Sequence, residues 1–384
     1  MRRKVLLVAP FCSLVGEPYF NRFLFLAELL SRTYDVTLVT SRFRHFDKLH
    51  RTGNATATQG IKLVLLDEPG YVSNVSIRRA YSHYIFRKNF EAWFCHQDCF
   101  DVVYSAYPLI GTNAFLAKRR RISGFKFIVD IQDVWPESIV SAFPVTRFFP
   151  KSFLPFSSQA DFVYRSADAI IAVSETYLER ALSVASPTHS ECVYIGADFE
   201  LLEDASAAQL DSNYVHFCYV GTLSYSYDLI TVVQGIEKLA LEGNKVMLHI
   251  FGGGPEEAEL RAKSCSSVVF HGFVPYTEMI SFLKGCQVAI NPIRSHASQT
   301  VTNKLSDYLA IGMPVLNSQE GDEISTLLLK VGGGSYKSGS VSSFVDSVRS
   351  MLLKQNFERF PNPMFDRSKT YLRMVDVIES LCDE

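Results

Sequence analysis

Short apolar runs alternate with longer segments of helical period along the chain, the pattern of parallel strands buried on both faces and joined by crossover helices. Runs at 5–9, 36–40, 61–66, 102–105, 127–131, 169–173 and 192–195 predict seven strands, with helices in most of the gaps. Residues 200–213 are polar and poor in aromatic side chains, which predicts a linker. Beyond it the pattern restarts, with strands expected at 216–220, 246–251, 268–270, 288–291 and 315–317. The expected fold class is α/β: two Rossmann-like, doubly wound domains facing a cleft, at 1–199 and 214–365, then a helical segment at 366–384. Ligands of such sheets bind beyond the carboxyl ends of the strands, so the chemistry belongs in the loops that leave them.

The segment 299–316, QTVTNKLSDYLAIGMPVL, combines a helix start, a helix stop and polar residues at a spacing chemistry can use. Thr302 or Asn303 can cap the helix, Leu305 and Leu309 lie one turn apart on its buried face, and Gly312 with Pro314 ends it. Unpaired N–H groups and the positive dipole end at Asn303 and Lys304 favour an anion, and Lys304 adds a mobile cation for phosphate oxygens. Asp307 lies one turn on, so all three can face one ligand, the carboxylate accepting from sugar or ribose hydroxyls. A capped amphipathic helix with its polar residues in water is the plain alternative.

Gln299 and Asp307 stand eight residues apart, and this segment resembles the E-x7-E region of the family 4 glycosyltransferases, which have the two-domain GT-B fold. Where that family has two glutamates, this chain has Gln299 and Asp307. The resemblance implies that Gln299 positions the donor sugar, Asp307 the ribose, and Lys304 with the helix start the leaving diphosphate. Gly221-Thr222-Leu223-Ser224-Tyr225-Ser226-Tyr227-Asp228 resembles a variant found in capsule and surface-polysaccharide glycosyltransferases. Gly221 there admits a close backbone approach, and Thr222 and Tyr227 offer hydroxyls. Many relatives have Arg and Lys in this loop; without them Lys304 is the principal cation for a diphosphate and Arg294 the second. Gly252-Gly253-Gly254-Pro255 resembles the family's Gly-x-Gly-Pro turn. It is not the dinucleotide fingerprint, because Glu257 stands where the third glycine belongs and Glu256 and Glu259 would repel a pyrophosphate. A backbone wall from Gly252 and Gly254 beside base or ribose and a purely structural turn are both open readings. His271-Gly272-Phe273-Val274-Pro275 matches the segment beside the nucleobase, where Phe273 and Val274 could flank the base.

In the first half, Gln132-Asp133-Val134-Trp135-Pro136-Glu137-Ser138 resembles the Asp-x-x-Asp-Leu-Trp-Pro-Glu-Ser segment of a subgroup of the same family. Asp133, as a catalytic candidate, and Glu137 could orient an acceptor hydroxyl, with a helix cap as the alternative for Asp133. Tyr107, at the preceding strand end, and Gly16, the one glycine of the first loop, complete the expected acceptor set. The basic residues of 42–48 could meet a phosphate-bearing acceptor, and His45 reads as a surface histidine.

Composition narrows the function. The net charge of -2 argues against nucleic acid, but residues 1–160 hold 21 Lys and Arg against 12 Asp and Glu while 161–384 hold 17 against 28. The basic half, with Lys118 to Arg121 and the aromatic and basic run Arg147, Phe148, Phe149, Lys151, Phe153 and Phe156, predicts peripheral contact with an anionic membrane, which sedimentation with anionic liposomes at low salt tests. Eight scattered cysteines read as reduced thiols, and Cys95 and Cys99 lack a second pair for zinc. MRRKVLLVAPF is too short and has no cleavage site for a leader, and no run reaches about 18 apolar residues, so a cytoplasmic protein is expected. The resemblance implies no cofactor and no metal requirement, with which the absence of any Asp-x-Asp agrees.

The resemblance implies a glycosyltransferase moving a sugar, with retention, from a nucleotide-diphosphate donor to a lipid-linked glycan acceptor, and a last helix that crosses back to the first domain. A nucleotide-sugar epimerase of the same fold, or a non-catalytic subunit that binds nucleotide or a partner, are the alternatives.

Overall fold

The computed structural model describes residues 2–17, 21–53, 58–73, 76–138, 154–295, 297, 300–354 and 357–383. Contacts divide the chain into two units: Met1–Val193 with Tyr371–Glu384, and Tyr194–Thr370.

In the first unit β1 (Lys4–Val8), β2 (Asp35–Ser41), β5 (Ile61–Leu66), β6 (Val102–Tyr107), β7 (Lys126–Ile131), β8 (Ala169–Ala172) and β9 (His189–Cys192) form one sheet. Its order is β5-β2-β1-β6-β7-β8-β9, with parallel pairing throughout, while β3 (Phe43–Arg44) and β4 (Leu49–His50) make a separate antiparallel pair. β1 and β6 are buried along almost their whole length, which is why their sequences run apolar without alternation. The second unit repeats the plan with β10 (Val215–Val220), β11 (Val246–Phe251), β12 (Val268–Gly272), β13 (Val288–Asn291), β14 (Val315–Asn317) and β15 (Gly333–Ser335), in the order β12-β11-β10-β13-β14-β15. Both sheets are doubly wound, as expected, and each reverses its winding beside its first strand, between β1 and β6 and between β10 and β13. In sheets of this kind ligands bind at the strand ends beside such reversals.

Three elements differ from the sequence reading. β9 lies at His189–Cys192 rather than 192–195, because pairing with β8 starts at Ala169 and His189 whatever the polarity of the residues. β15 carries no apolar run; it is an edge strand placed by its register with β14. The polar stretch at 200–213 is not a bare connector. Phe199–Asp204 is a helix capped by Asp198, whose carboxylate accepts from Leu201 N at 3.2 Å, and Lys284 Nζ donates to the carbonyls of Leu202 and Ala205 at 2.8 and 2.5 Å. Hydrogen bonds to one lysine thus hold a segment whose composition promised little burial.

The last helix, Leu372–Asp383, belongs to the first unit. Met374, Val377, Ile378 and Leu381 lie in one core with Val5, Leu7, Phe23, Leu26 and Leu30. Among the described residues no helix is long and apolar enough to cross a membrane, and none of the eight cysteines is in a disulfide.

Candidate active site

In the second unit the predicted residues gather where the winding reverses. The loop 221–228 leaves β10, the segment 292–302 leaves β13, and the two are stitched by a bridge between Tyr227 and Ile293. The helix Asn303–Ile311 follows. Thr302 is its cap, accepting from Leu305 N at 3.4 Å, and Asn303 is exposed at its first position. Leu305 and Leu309 are fully buried, and Gly312 ends the helix in the left-handed conformation at φ 75°.

Lys304 points inward from this helix start and is only 6% exposed. Its ammonium lies 3.5 Å from the centroid of the Tyr227 ring and 4.8 Å from that of Tyr219, and it donates to the Tyr219 hydroxyl at 3.4 Å. Burial drives the Lys304 pKa well below the ordinary lysine value. Gly221, at φ 136°, stands beside it: a Cβ there would lie 3.1 Å from Lys304 Nζ. A buried cation next to a helix start and a bare backbone is an arrangement suited to an anion.

Asp307 turns to a different neighbour. Tyr276 donates its hydroxyl to Asp307 Oδ1 at 2.6 Å, and burial pushes the carboxyl up to about 7 despite that bond and the charge of Arg367. Lys304 and Asp307 thus share a helix end but have different protein neighbours, Tyr219 and Tyr227 for the one and Tyr276 for the other. Because the native carboxyl holds its proton up to about pH 7 whereas an unfolded Asp releases it near 3.9, the native state binds the extra proton between those values. Stability is then expected to fall as pH rises from about 4 to 7, by at most about 1.4 kcal/mol per unit, and Asp307→Asn should remove that slope. Urea unfolding of both proteins at pH 5, 6, 7 and 8 checks this; parallel curves would refute it.

The glycines after β11 let two loops meet. Gly252, at φ 112°, would bring a Cβ to 2.2 Å from Gly221 O, and Gly254 to 2.3 Å from Leu223 O. The two loops are pressed backbone to backbone, with Leu223 N donating to Gly253 O at 3.0 Å. Arg294 is already engaged, its Nη2 3.5 Å from Glu256 Oε1 and its Nε donating to Tyr227 O at 3.3 Å, so it is no second free cation for a diphosphate. Thr222 is exposed, Phe273 is 77% exposed and Val274 half-buried, which leaves an apolar rim available to a flat ring. Gln299 lies outside the described residues. Asn291 and Thr300 are joined through buried amides: Asn291 Nδ2 donates to Asn317 Oδ1 and Gln319 Oε1, both at 2.9 Å, and Gln319 Nε2 donates to Thr300 O at 3.1 Å.

Three features escaped the sequence reading. Tyr219 lies two residues before Gly221 and hence on the same strand face, a signal that was present. Tyr276 had none, since only folding brings it to Asp307. Nor did the chain of three rings on β10, β11 and β12, in which His216 and His249, then His249 and His271, pair at 2.9 Å. His216 Nε2 donates to Asp211 O, so in the neutral rings each Nε2 carries the hydrogen and each Nδ1 of His216 and His249 accepts one. This row holds the start of the segment 271–274, and burial pushes His249 down to about 4.

The first unit departs more from expectation. Tyr107 is fully buried, donating its hydroxyl to Trp135 O with its ring 5.1 Å from that of Tyr164, so it is a core residue and not an acceptor contact. Among the described residues Asp133 caps no helix. It accepts from Trp135 Nε1 at 2.9 Å and from Ser138 Oγ, and burial raises its pKa. Glu137 pairs with Arg180, which also holds Asp161 at 2.7 Å. Gly16 makes a turn at φ 80° with open space around it. His45 is no surface histidine: it bonds Tyr71 OH at 2.5 Å, packs 4.9 Å from Phe11, and is driven down to about 3 by burial and by Lys48 and Arg79. Of the proposed membrane residues, Arg147, Phe148, Phe149, Lys151 and Phe153 lie outside the described residues. Phe156 is 63% exposed, whereas Arg120 is paired with Asp168.

Residues 22–195 match the sequence model of a glycosyl transferase 4-like domain, and residues 215–354 match that of glycosyl transferases group 1. Among curated proteins none matches the chain. Among solved structures, sucrose-phosphate synthase from Thermosynechococcus elongatus is similar with a TM-score of 0.70 at 14% identity, over 99% of either chain. HepE from Anabaena, solved in complex with UDP, gives 0.64 at 12%, covering 98% of this chain and 100% of that one. The apo lipopolysaccharide outer core galactosyltransferase WaaB gives 0.60 at 16%, covering 98% and 99%. These likenesses show the GT-B fold.

Proposed function

The chain is a glycosyltransferase composed of a 4-like domain and a group 1 domain, and from that premise we propose that it transfers a sugar from a nucleotide-diphosphate donor, held by the second unit, to a hydroxyl of a lipid-linked glycan in surface-polysaccharide (capsule or O-antigen) assembly. The observation that carries the donor assignment is Lys304, a buried ammonium beside Gly221 and the start of a capped helix. In the transition state the leaving diphosphate gains charge, and a preplaced cation with helix N–H groups stabilises it without moving. A metal is not needed in this reading because protein groups supply the positive charge. Asp307 accepts from the ribose hydroxyls, Gln299 orients the sugar, and anomeric configuration is retained. Asp133 and Glu137, bonded within their own unit, take no proton in this scheme.

A neighbour solved with UDP and another that is a lipopolysaccharide galactosyltransferase support donor and acceptor class respectively. The excess of positive charge in residues 1–160 supports an anionic, membrane-borne acceptor and a peripheral seat on the inner face of the cytoplasmic membrane.

Thermal stabilisation by UDP, GDP, dTDP, CMP and ADP, each with EDTA, tests the reading. A ligand at 100 times its Kd adds about 2.7 kcal/mol to stability. One nucleoside diphosphate is expected to raise the midpoint by several degrees and thereby name the base. A flat response to all five at millimolar concentration would overturn the donor site.

A further inference from the structure

We propose that Tyr219 and Tyr227 form an aromatic cradle that positions the Lys304 ammonium for the donor diphosphate while leaving its charge unneutralised. The proposal rests on the donor reading of Lys304 above and adds how that cation is held.

A buried ammonium normally has a carboxylate partner, because desolvating a lone charge is costly. Burial disfavours the charged form of Lys304, and no carboxylate pairs with it among the described residues. Its neighbours are instead two ring faces, at 3.5 Å for Tyr227 and 4.8 Å for Tyr219, the rings themselves 5.8 Å apart at 65°. A ring face attracts a cation through its quadrupole, most strongly when water is excluded. Unlike a carboxylate, it carries no net charge, so an arriving diphosphate does not have to displace an ion pair.

The cradle is itself fixed. Tyr219 OH accepts from Lys304 Nζ at 3.4 Å and donates to Thr222 O at 2.8 Å, tying the cation to the loop after β10. Tyr227 is anchored by its N–H to Ser224 O at 2.9 Å, by its carbonyl to Arg294 Nε at 3.3 Å and by its bridge to Ile293, so its ring is set by the loops on both sides of the reversal. Gly221 has no side chain to crowd the ammonium, since a Cβ there would lie 3.1 Å from Lys304 Nζ and 3.3 Å from Tyr219 OH. The loop 221–228 contains no Arg or Lys and so adds no cation to Lys304, whose placement matters correspondingly more.

The experiment titrates calorimetrically the nucleoside diphosphate that stabilises the wild type. Tyr227→Leu is expected to weaken binding about five- to thirtyfold, Tyr219→Phe about threefold, and Tyr227→Phe less than twofold. To separate electrostatics from shape, Tyr227→Phe is also made with 4-fluoro- and 3,4,5-trifluorophenylalanine at 227. Fluorine drains the ring face at nearly constant volume, so affinity should fall stepwise with fluorine count, and kcat with it. Equal affinity across the fluorinated series would overturn the cradle. Lys304→Met distinguishes the two levels: lost binding there with a flat fluorine series leaves the donor site standing and removes the cradle, whereas wild-type binding by Lys304→Met removes both.

Discussion

Lys304→Met is expected to lower turnover by two to three orders of magnitude, about 2.7–4 kcal/mol of transition-state stabilisation, while the unliganded protein becomes no less stable. The two effects have opposite signs because the cation is useful to the reaction and costly to the fold. The ammonium is buried against ring faces without a carboxylate, so an apolar chain of similar length relieves desolvation and keeps the packing against Tyr219 and Tyr227. The pH dependence follows from the same burial. Lys304 has a native pKa well below the unfolded value of about 10.4, so between the two the unfolded chain binds more protons. Wild-type stability should therefore gain from this group as pH rises toward 10.4 and lose it as pH falls through the native value; the variant should lack that contribution. Steady-state kinetics with the sugar nucleotide of the identified base, and urea unfolding across pH, read both. Unchanged turnover would sink the assignment of Lys304 to the diphosphate.

Arg22→Met is expected to cost the first unit about 3–5 kcal/mol, because it strands a charge in the core. Arg22 Nε donates to Asp130 Oδ2 at 2.7 Å, with the two side chains 3% and 0% exposed. Asp130 also accepts from Tyr104 OH at 2.6 Å and from Gln132 Nε2 at 2.7 Å, while Arg22 Nη1 donates to Val193 O at 2.7 Å and the guanidinium lies 5.0 Å over the Tyr371 ring. One ion pair thus joins the first helix, the end of β7 and the returning chain at Tyr371. The pair is worth little relative to apolar residues of the same volume, so the double replacement Arg22→Met with Asp130→Leu should recover much of the loss. Urea midpoints of the single and double variants check the cycle. A single variant within 1 kcal/mol of wild type would show that the pair is more solvated than the structure has it.

The two predictions concern residues of unequal legibility. Lys304 was readable because its chemistry is local: a cap, a helix start and a lysine within three residues raise the same expectation in any fold that keeps the helix. Arg22 was not, since its partner is 108 residues away and nothing near Arg22 in sequence announces it. Tyr107 failed for a related reason. Its place at a strand end was correct, but which way a strand-end side chain turns is decided by the neighbours that cover it, here Trp135 and Tyr164. Asp133 and Glu137 were likewise right as loop residues at the end of β7 and wrong as free carboxylates, because Trp135, Ser138 and Arg180 reach them first.

By itself the sequence determined the α/β class, the two windings and nearly all the buried strands. Those follow from period and apolarity, which act over a few residues and are the same in every environment that excludes water. It also determined the helix at 303–311 with both its ends, through Thr302 and Gly312. Tertiary structure alone decided the edge strand β15, the packing of the polar stretch at 200–213 by Lys284, the tyrosines around Lys304 and the contact of Tyr276 with Asp307. Each of these depends on which segments become neighbours and on how much water remains between them. The direction of a side chain and the pKa of a buried group are set by that neighbourhood, which no short window of sequence contains.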